Sequence, residues 1–405
     1  MKKIFEVFLG IITGIGGFLE AGSLATSAQA GAQFGYQLTW ALVIGGLSLI
    51  VLVEASGRLA VVSKRTVAEA MRERFGFNYF VVPLVAGVVV CFLVLASELA
   101  VTGVALQLAT GISYRVWCLP VGLVCWFMLW RGNFGVVEKG TGLLGLVSLV
   151  IGVAAVRMHP DWGHLAAAAV PSPPKHDGGE YWFGAVSILG ASISPYLFFF
   201  YSSGAVEDEW KMEDLPINRV TAVLGMGFGT FLSIAVLVLG ALVFFPRDIQ
   251  IGRYEELALL LSHPLARWGF VLFTISLAIT CFGAAAEIAL STAYVVAQGC
   301  GWPWSENQRP AQHARYSLVY TAALLLAPAL GALTDPLKLT NVSMAVTAAS
   351  LPVSVVPLLV LMNDRQIMGE HTNRWLGNAA LVLIALMSVV LLFVSIPLTF
   401  IGGGG

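Results

Sequence analysis

Two stretches of this chain decide how it folds. The first reads Gly10-Ile-Ile-Thr-Gly-Ile-Gly-Gly-Phe-Leu-Glu20-Ala-Gly22-Ser23-Leu-Ala-Thr26-Ser27, and the second Gly190-Ala191-Ser192-Ile193-Ser194-Pro195-Tyr196. Each lies in an apolar run long enough to cross a hydrocarbon core of about 30 Å. The first nevertheless holds Gly14, Gly16 and Gly17 beside a carboxylate, and the second places Pro195 among hydroxyls at mid-run. Proline removes a helix donor and clashes with the preceding turn, whereas glycine tolerates unwound backbone. Both runs are expected to break, near Glu20–Ser23 and Ser192–Tyr196. The plainer alternative is a pair of kinked structural helices.

Outward from these stretches the chain stays apolar. Of 405 residues, 58% are hydrophobic and 11% are charged. A soluble domain carries about 25% charged residues to cover its surface. Lipid requires every backbone group to be paired internally, and continuous rather than alternating apolarity selects helices over a barrel. The pattern predicts about eleven spans, near 4–32, 37–62, 78–109, 114–131, 139–157, 181–203, 218–245, 263–298, 314–333, 338–362 and 376–400. The two interrupted runs are spans one and six, corresponding members of two five-helix halves. Breaks at matching positions point to an inverted repeat with its binding site at the midplane. The halves fall at about 1–160 and 176–362, with an extra helix at about 376–400, in one transmembrane domain.

Charge sets the orientation. With the N-terminus cytoplasmic, 15 of the 22 Lys and Arg residues lie in cytoplasmic loops, as the positive-inside rule requires. An odd number of spans then puts the C-terminus outside, and the Pro-, His- and Gly-rich segment Pro160–Glu180 becomes an external loop. The first span lacks a cleavage site and is expected to remain as a helix. Net charge is −1, which gives no footing for a nucleic-acid partner. The five cysteines show no metal spacing and read as packing residues.

Charges inside the bilayer are costly, so each requires a reason. Glu20 lies in the glycine-rich break, where unwound carbonyls and hydroxyls could complete an oxygen shell around a cation. A structural carboxylate bonded to freed backbone donors is the other reading. Glu98, in Ala96-Ser97-Glu98-Leu99, either takes a proton or holds a helix. Glu287 follows a run of small residues and reads as interhelical glue, and Glu54 lies near enough to a span end to snorkel. His159, His164 and His176 share the external loop, where solvated side chains are expected more than a metal site. The chain holds neither H-E-x-x-H nor G-x-S-x-G, so no hydrolase chemistry is visible and an enzyme is not expected.

Three further stretches carry a resemblance. Leu24-Ala25-Thr26 through Gln29–Tyr36, Ser350-Leu-Pro-Val-Ser-Val-Val-Pro357 and Asn363-Asp364-Arg365-Gln-Ile-Met368-Gly369-Glu370 resemble motifs of the natural-resistance-associated macrophage protein (NRAMP) family of divalent-metal transporters. The resemblance extends over nearly the whole chain, and its third motif is the most specific. It implies an all-α, LeuT-like five-plus-five inverted repeat with broken helices 1 and 6. It also implies a bacterial inner-membrane carrier whose metal is cargo rather than cofactor.

The family's helix-one D-P-G-N becomes Glu20-Ala21-Gly22-Ser23 here, and its helix-six A-x-x-M-P-H becomes Ala191-Ser192-Ile193-Ser194-Pro195-Tyr196. A further family histidine falls on Tyr201, and an aspartate three residues before Glu98 falls on Leu95. By this resemblance Glu20, Ser23, the Ala191 carbonyl and Ser194 would hold the ion. Glu98, Tyr196, Tyr201 and Ser350 would lie around it or couple its movement. With the thioether gone, the expected ligands are oxygens, suited to Mg²⁺, Ca²⁺ or Mn²⁺. Loss of one acid and two histidines weakens proton coupling, leaving membrane potential as the driving force. The alternatives are a carrier of a small organic solute, such as an amino acid, and a non-transporting sensor. No obligate protein partner is expected.

Overall fold

The computed structural model describes residues 20–131, 146–175, 177–308 and 310–401. Among them every regular element is helical. The principal helices are α1 (Ala21–Phe34), α2 (Thr39–Ser63), α3 (Val67–Phe75), α4 (Phe77–Thr110), α5 (Tyr114–Trp130), α6 (Leu149–Arg157), α7 (Gly178–Ser192), α8 (Pro195–Glu207), α9 (Leu215–Val243), α10 (Leu259–Cys300), α11 (Ala314–Leu333), α12 (Pro336–Asn363) and α13 (Trp375–Ile401). Eight stretches among the described residues are long and apolar enough to cross a membrane, while α5 and α6 are shorter but apolar. The outer faces are apolar too. Val82 and Val85 on α4, and Leu383 and Phe393 on α13, are well exposed, a surface suited to lipid rather than water.

Span six breaks where its residues predict. Helix α7 ends at Ser192, and Ile193 leaves helical geometry at φ −113°, ψ 61°. Ser194 is extended at φ −78°, ψ 120°, and Pro195 opens α8. A proline there costs no hydrogen bond, because the first amides of a helix have no internal partner. In span one, Glu20 is extended at φ −82°, ψ 171° and α1 starts at Ala21. The preceding half of that span, with Gly10 to Gly17, lies outside the described residues, as do residues 139–145 of the expected fifth span. The break expected through Ser23 is shorter on this side. Gly22 and Ser23 are already helical, followed by good helix formers, Leu24 and Ala25.

Span eight also departs from a single straight run. Helix α10 begins at Leu259 and turns sharply at Ala266, φ 51°, two residues after Pro264. Ala266 in the left-handed region ends one helical segment, and the next begins after it.

Close backbone crossings position the two breaks. A Cβ on Gly31 would stand 2.2 Å from the Leu237 carbonyl, and one on Gly240 would stand 2.6 Å from the Ala28 carbonyl. Helices α1 and α9 therefore touch main chain to main chain, as small residues permit in membranes. Asp364 accepts from the Gln366 amide and pairs with Arg74 of α3 at 2.5 Å. Met368 from the same motif is fully buried. That motif docks a loop onto α3. Glu54 is ion-paired with Arg58 at 3.2 Å and lies 3.6 Å from Arg219, so its end-of-span position is a salt bridge.

Candidate functional site

The two breaks face one another. Glu20 occupies the N-cap position of α1 without a side-chain bond to its first amides, at the end where the helix dipole favours a carboxylate. Its side chain is 1% exposed. Tyr196, in the first turn of α8, donates its hydroxyl to Glu20 Oε2. Ser194 Oγ approaches Glu20 Oε1 at 3.5 Å and the Ala191 carbonyl at 3.3 Å. Two residues in the α7–α8 break thus meet the carboxylate that opens α1. The last carbonyls of α7 lie at the negative end of its dipole, next to the same carboxylate.

A second acid stands beside the first. The Ala21 amide, left unpaired at the start of α1, donates to Glu98 Oε1 of α4 at 2.9 Å. Glu98 is fully buried, and its Oε2 accepts no hydrogen bond from the described residues. The Cys281 thiol of α10 lies against this carboxyl. No Lys or Arg is paired with Glu20 or Glu98 among the described residues. The ion pairs there join Glu54, Glu73, Asp364 and Glu256 to arginines. Two buried carboxyl groups without a basic partner are costly unless a proton or another cation joins them.

The loop between α9 and α10 sends in Tyr254, buried, whose hydroxyl donates to the Ala21 carbonyl at 2.8 Å. Elsewhere Gln298 of α10 joins Thr66 at 2.9 Å and Ser203 of α8 at 2.8 Å.

The remaining expected residues divide. Ser23 is buried in the first turn of α1, beyond Gly22. Tyr201 is farther along α8, with its ring on Trp210 and its hydroxyl 3.5 Å from the Asn218 carbonyl. Ser350 bonds back to Thr347 within α12. Neither Tyr201 nor Ser350 bonds to Glu20 or Glu98. Glu287 is buried on α10. His164 stacks edge-on against Tyr36, and His176 lies outside the described residues. Among those residues no three His, Cys, Asp or Glu side chains converge.

Sequence reading missed two residues here, Tyr254 and Met344. Tyr254 belongs to a polar loop, which gave no sign of reaching the midplane. Met344 looked like one more apolar residue of span ten. Its sulfur packs on Gly22, and its carbonyl on Gly190.

A sequence profile described as natural resistance-associated macrophage protein-like matches residues 10–396. The chain belongs to the Nramp family. Nramp relatives include the divalent metal cation transporter MntH of Deinococcus radiodurans, 26% identical over 384 residues that cover 88% of this chain and 81% of that protein. MntH of Klebsiella pneumoniae is 24% identical and covers 92% of this chain and 89% of its own length. Among solved structures, the manganese transporter of Eremococcus coleocola superposes with a TM-score of 0.79 at 20% identity, covering 98% of this chain and 87% of that one. MhsT in complex with L-phenylalanine superposes with a TM-score of 0.65 at 14% identity, covering 96% and 98%. The Nramp chain thus has the helical fold of LeuT-type transporters, and its family consists of transporters rather than enzymes.

Proposed function

We propose that this protein is a secondary transporter that carries a divalent metal cation across a bacterial inner membrane by alternating access. The observation that carries this reading is the pair of buried carboxyl groups, Glu20 and Glu98, beside two helix breaks without a basic side chain. A dication balances both charges at once. Glu20 is the principal ligand. The Ala191 carbonyl and the Ser194 and Ser23 hydroxyls extend the oxygen set, with waters filling the rest. Tyr196 holds Glu20 while the ion is absent and yields one carboxylate oxygen when it arrives. Carboxylate, carbonyl and hydroxyl ligands suit hard ions, so Mg²⁺ and Mn²⁺ are the proposed cargo.

The two five-helix halves move against each other around this site, with the N-terminus cytoplasmic and the C-terminus outside. A dication entering gains about 4.6 kcal/mol per 100 mV, at about 2.3 per charge. That suffices for uptake without a proton. The metal-cation transport named for the curated relatives supports metal over an organic solute.

The test is uptake of Mn²⁺ and Mg²⁺ into proteoliposomes holding purified wild type or Glu20→Gln protein. Uptake is expected from the wild type and background flux from the variant. Equal uptake by both, at matched reconstitution, removes Glu20 from the site and the reading with it.

A further inference from the structure

Met344 is fully buried in the first third of α12, and the glycines beside it fix its place. A Cβ on Gly22 would stand 2.4 Å from Met344 Sδ and 2.7 Å from its Cε. A Cβ on Gly190 would stand 2.3 Å from the Met344 carbonyl. The residue is therefore wedged between the first turn of α1 and the last turn of α7. Gly22 is two residues from Glu20, and Gly190 adjoins Ala191. Met344 also shares a buried cluster with Ala191 and Tyr196. Its thioether thus lies against the first turn of α1, at Gly22, and its carbonyl against the last turn of α7, at Gly190. Any side chain at residue 22 would occupy the sulfur's position, so glycine there keeps the space open for it.

We propose that Met344 Sδ contacts the transported cation and sets its selectivity, favouring Mn²⁺ over Mg²⁺ and admitting Cd²⁺ as a strong competitor. This rests on the placement of the ion beside Glu20 proposed above. Thioether sulfur is a soft, polarizable donor that contributes to Mn²⁺ weakly, to Cd²⁺ strongly and to Mg²⁺ hardly at all. The sulfur missing at Ser194 enters the site from α12. A purely apolar packing role would be filled almost as well by leucine, since Leu and Met are close in volume. The two roles are therefore separable.

The experiment measures Mn²⁺ uptake into proteoliposomes with Cd²⁺ or Mg²⁺ as competitor, for wild type, Met344→Leu and Glu20→Gln. Met344→Leu is expected to lower Mn²⁺ uptake, and to raise the Cd²⁺ concentration for half-inhibition about tenfold relative to that of Mg²⁺, the equivalent of about 1.4 kcal/mol. An unchanged Cd²⁺ to Mg²⁺ ratio overturns the proposal. A second measurement is X-ray absorption of Cd²⁺ bound to protein in which all five cysteines are replaced by serine, with and without Met344→Leu. A sulfur neighbour is expected where Met344 is kept, and a shell of oxygen and nitrogen alone there overturns the assignment. If Glu20→Gln abolishes uptake while Met344→Leu leaves the metal order intact, only the sulfur contact fails. If Glu20→Gln transports like the wild type, the site itself is misplaced.

Discussion

Tyr254→Phe tests the seal over the site with a change of one atom. The loop residue is buried, donates to the Ala21 carbonyl at 2.8 Å, and shares an apolar cluster with Leu24, Val101 and Cys281. Phenylalanine keeps that packing and removes the hydrogen bond. The Ala21 carbonyl keeps its place in the α1 ladder, so no buried acceptor is orphaned. The loss then lies near the ordinary net value of about 1 kcal/mol, and membrane-interior pairs average about 0.6. A shift of about 1 kcal/mol raises the population open on that side about fivefold. Cys281 lies beneath Tyr254 and reports the opening. The assay uses protein in which Cys91, Cys118, Cys125 and Cys300 are replaced by serine. It follows labelling of Cys281 by a membrane-impermeant maleimide from the side of the α9–α10 loop. Labelling should be about fivefold faster in Tyr254→Phe and should slow when Mn²⁺ is added. Identical labelling rates in the two proteins would show that the Tyr254 hydroxyl holds nothing shut.

Glu20→Gln should fold, elute as the wild type on size exclusion and show no Mn²⁺-dependent uptake, because a neutral amide cannot balance a partly dehydrated dication. Uptake by the wild type should follow an imposed membrane potential with little accompanying proton entry. A stoichiometric proton signal that disappears in Glu98→Gln would refute potential-driven transport and make Glu98 the proton carrier. At the membrane surface, Asp364 titrates below the usual carboxylate range because it accepts the Gln366 amide and pairs with Arg74. A depressed folded-state value means a contribution present above the unfolded value and lost as pH falls through the folded one. Thermal unfolding in detergent should therefore show wild type above Asp364→Ala by about 1 kcal/mol at pH 7. The gap should close below about pH 4, near the unfolded aspartate value. A gap independent of pH would mean that the charge contributes nothing.

The break in span six was readable because its cause is local: Pro195 cannot continue a helix, and Ser194 supplies the extended residue before it. Glu20 was readable because a lone carboxylate in an apolar run demands an explanation. Its partners were another matter. Tyr196 was noticed as a substitution at a family position, but its bond to Glu20 depends on how α8 is set against α1, which no single-span pattern encodes. Tyr254 and Met344 escaped for opposite reasons. The first lies in a sequence polar enough to pass as loop, and the second in one apolar enough to pass as packing. Tyr201 and Ser350 each belong to a stretch that resembles the family, and their hydroxyls bond to Asn218 and Thr347.

The crossing at Gly31 and Gly240 has a mechanical meaning. Helix α1 is clamped at two points, by the backbone of α9 along its length and by Tyr254, from the loop that follows α9, at its first residue. A rod held twice by the same neighbouring segment cannot swing alone. In the cycle proposed above, α1 would travel as one lever with α9 and the loop behind it. A side chain added at residue 31 or 240 would pry that lever apart.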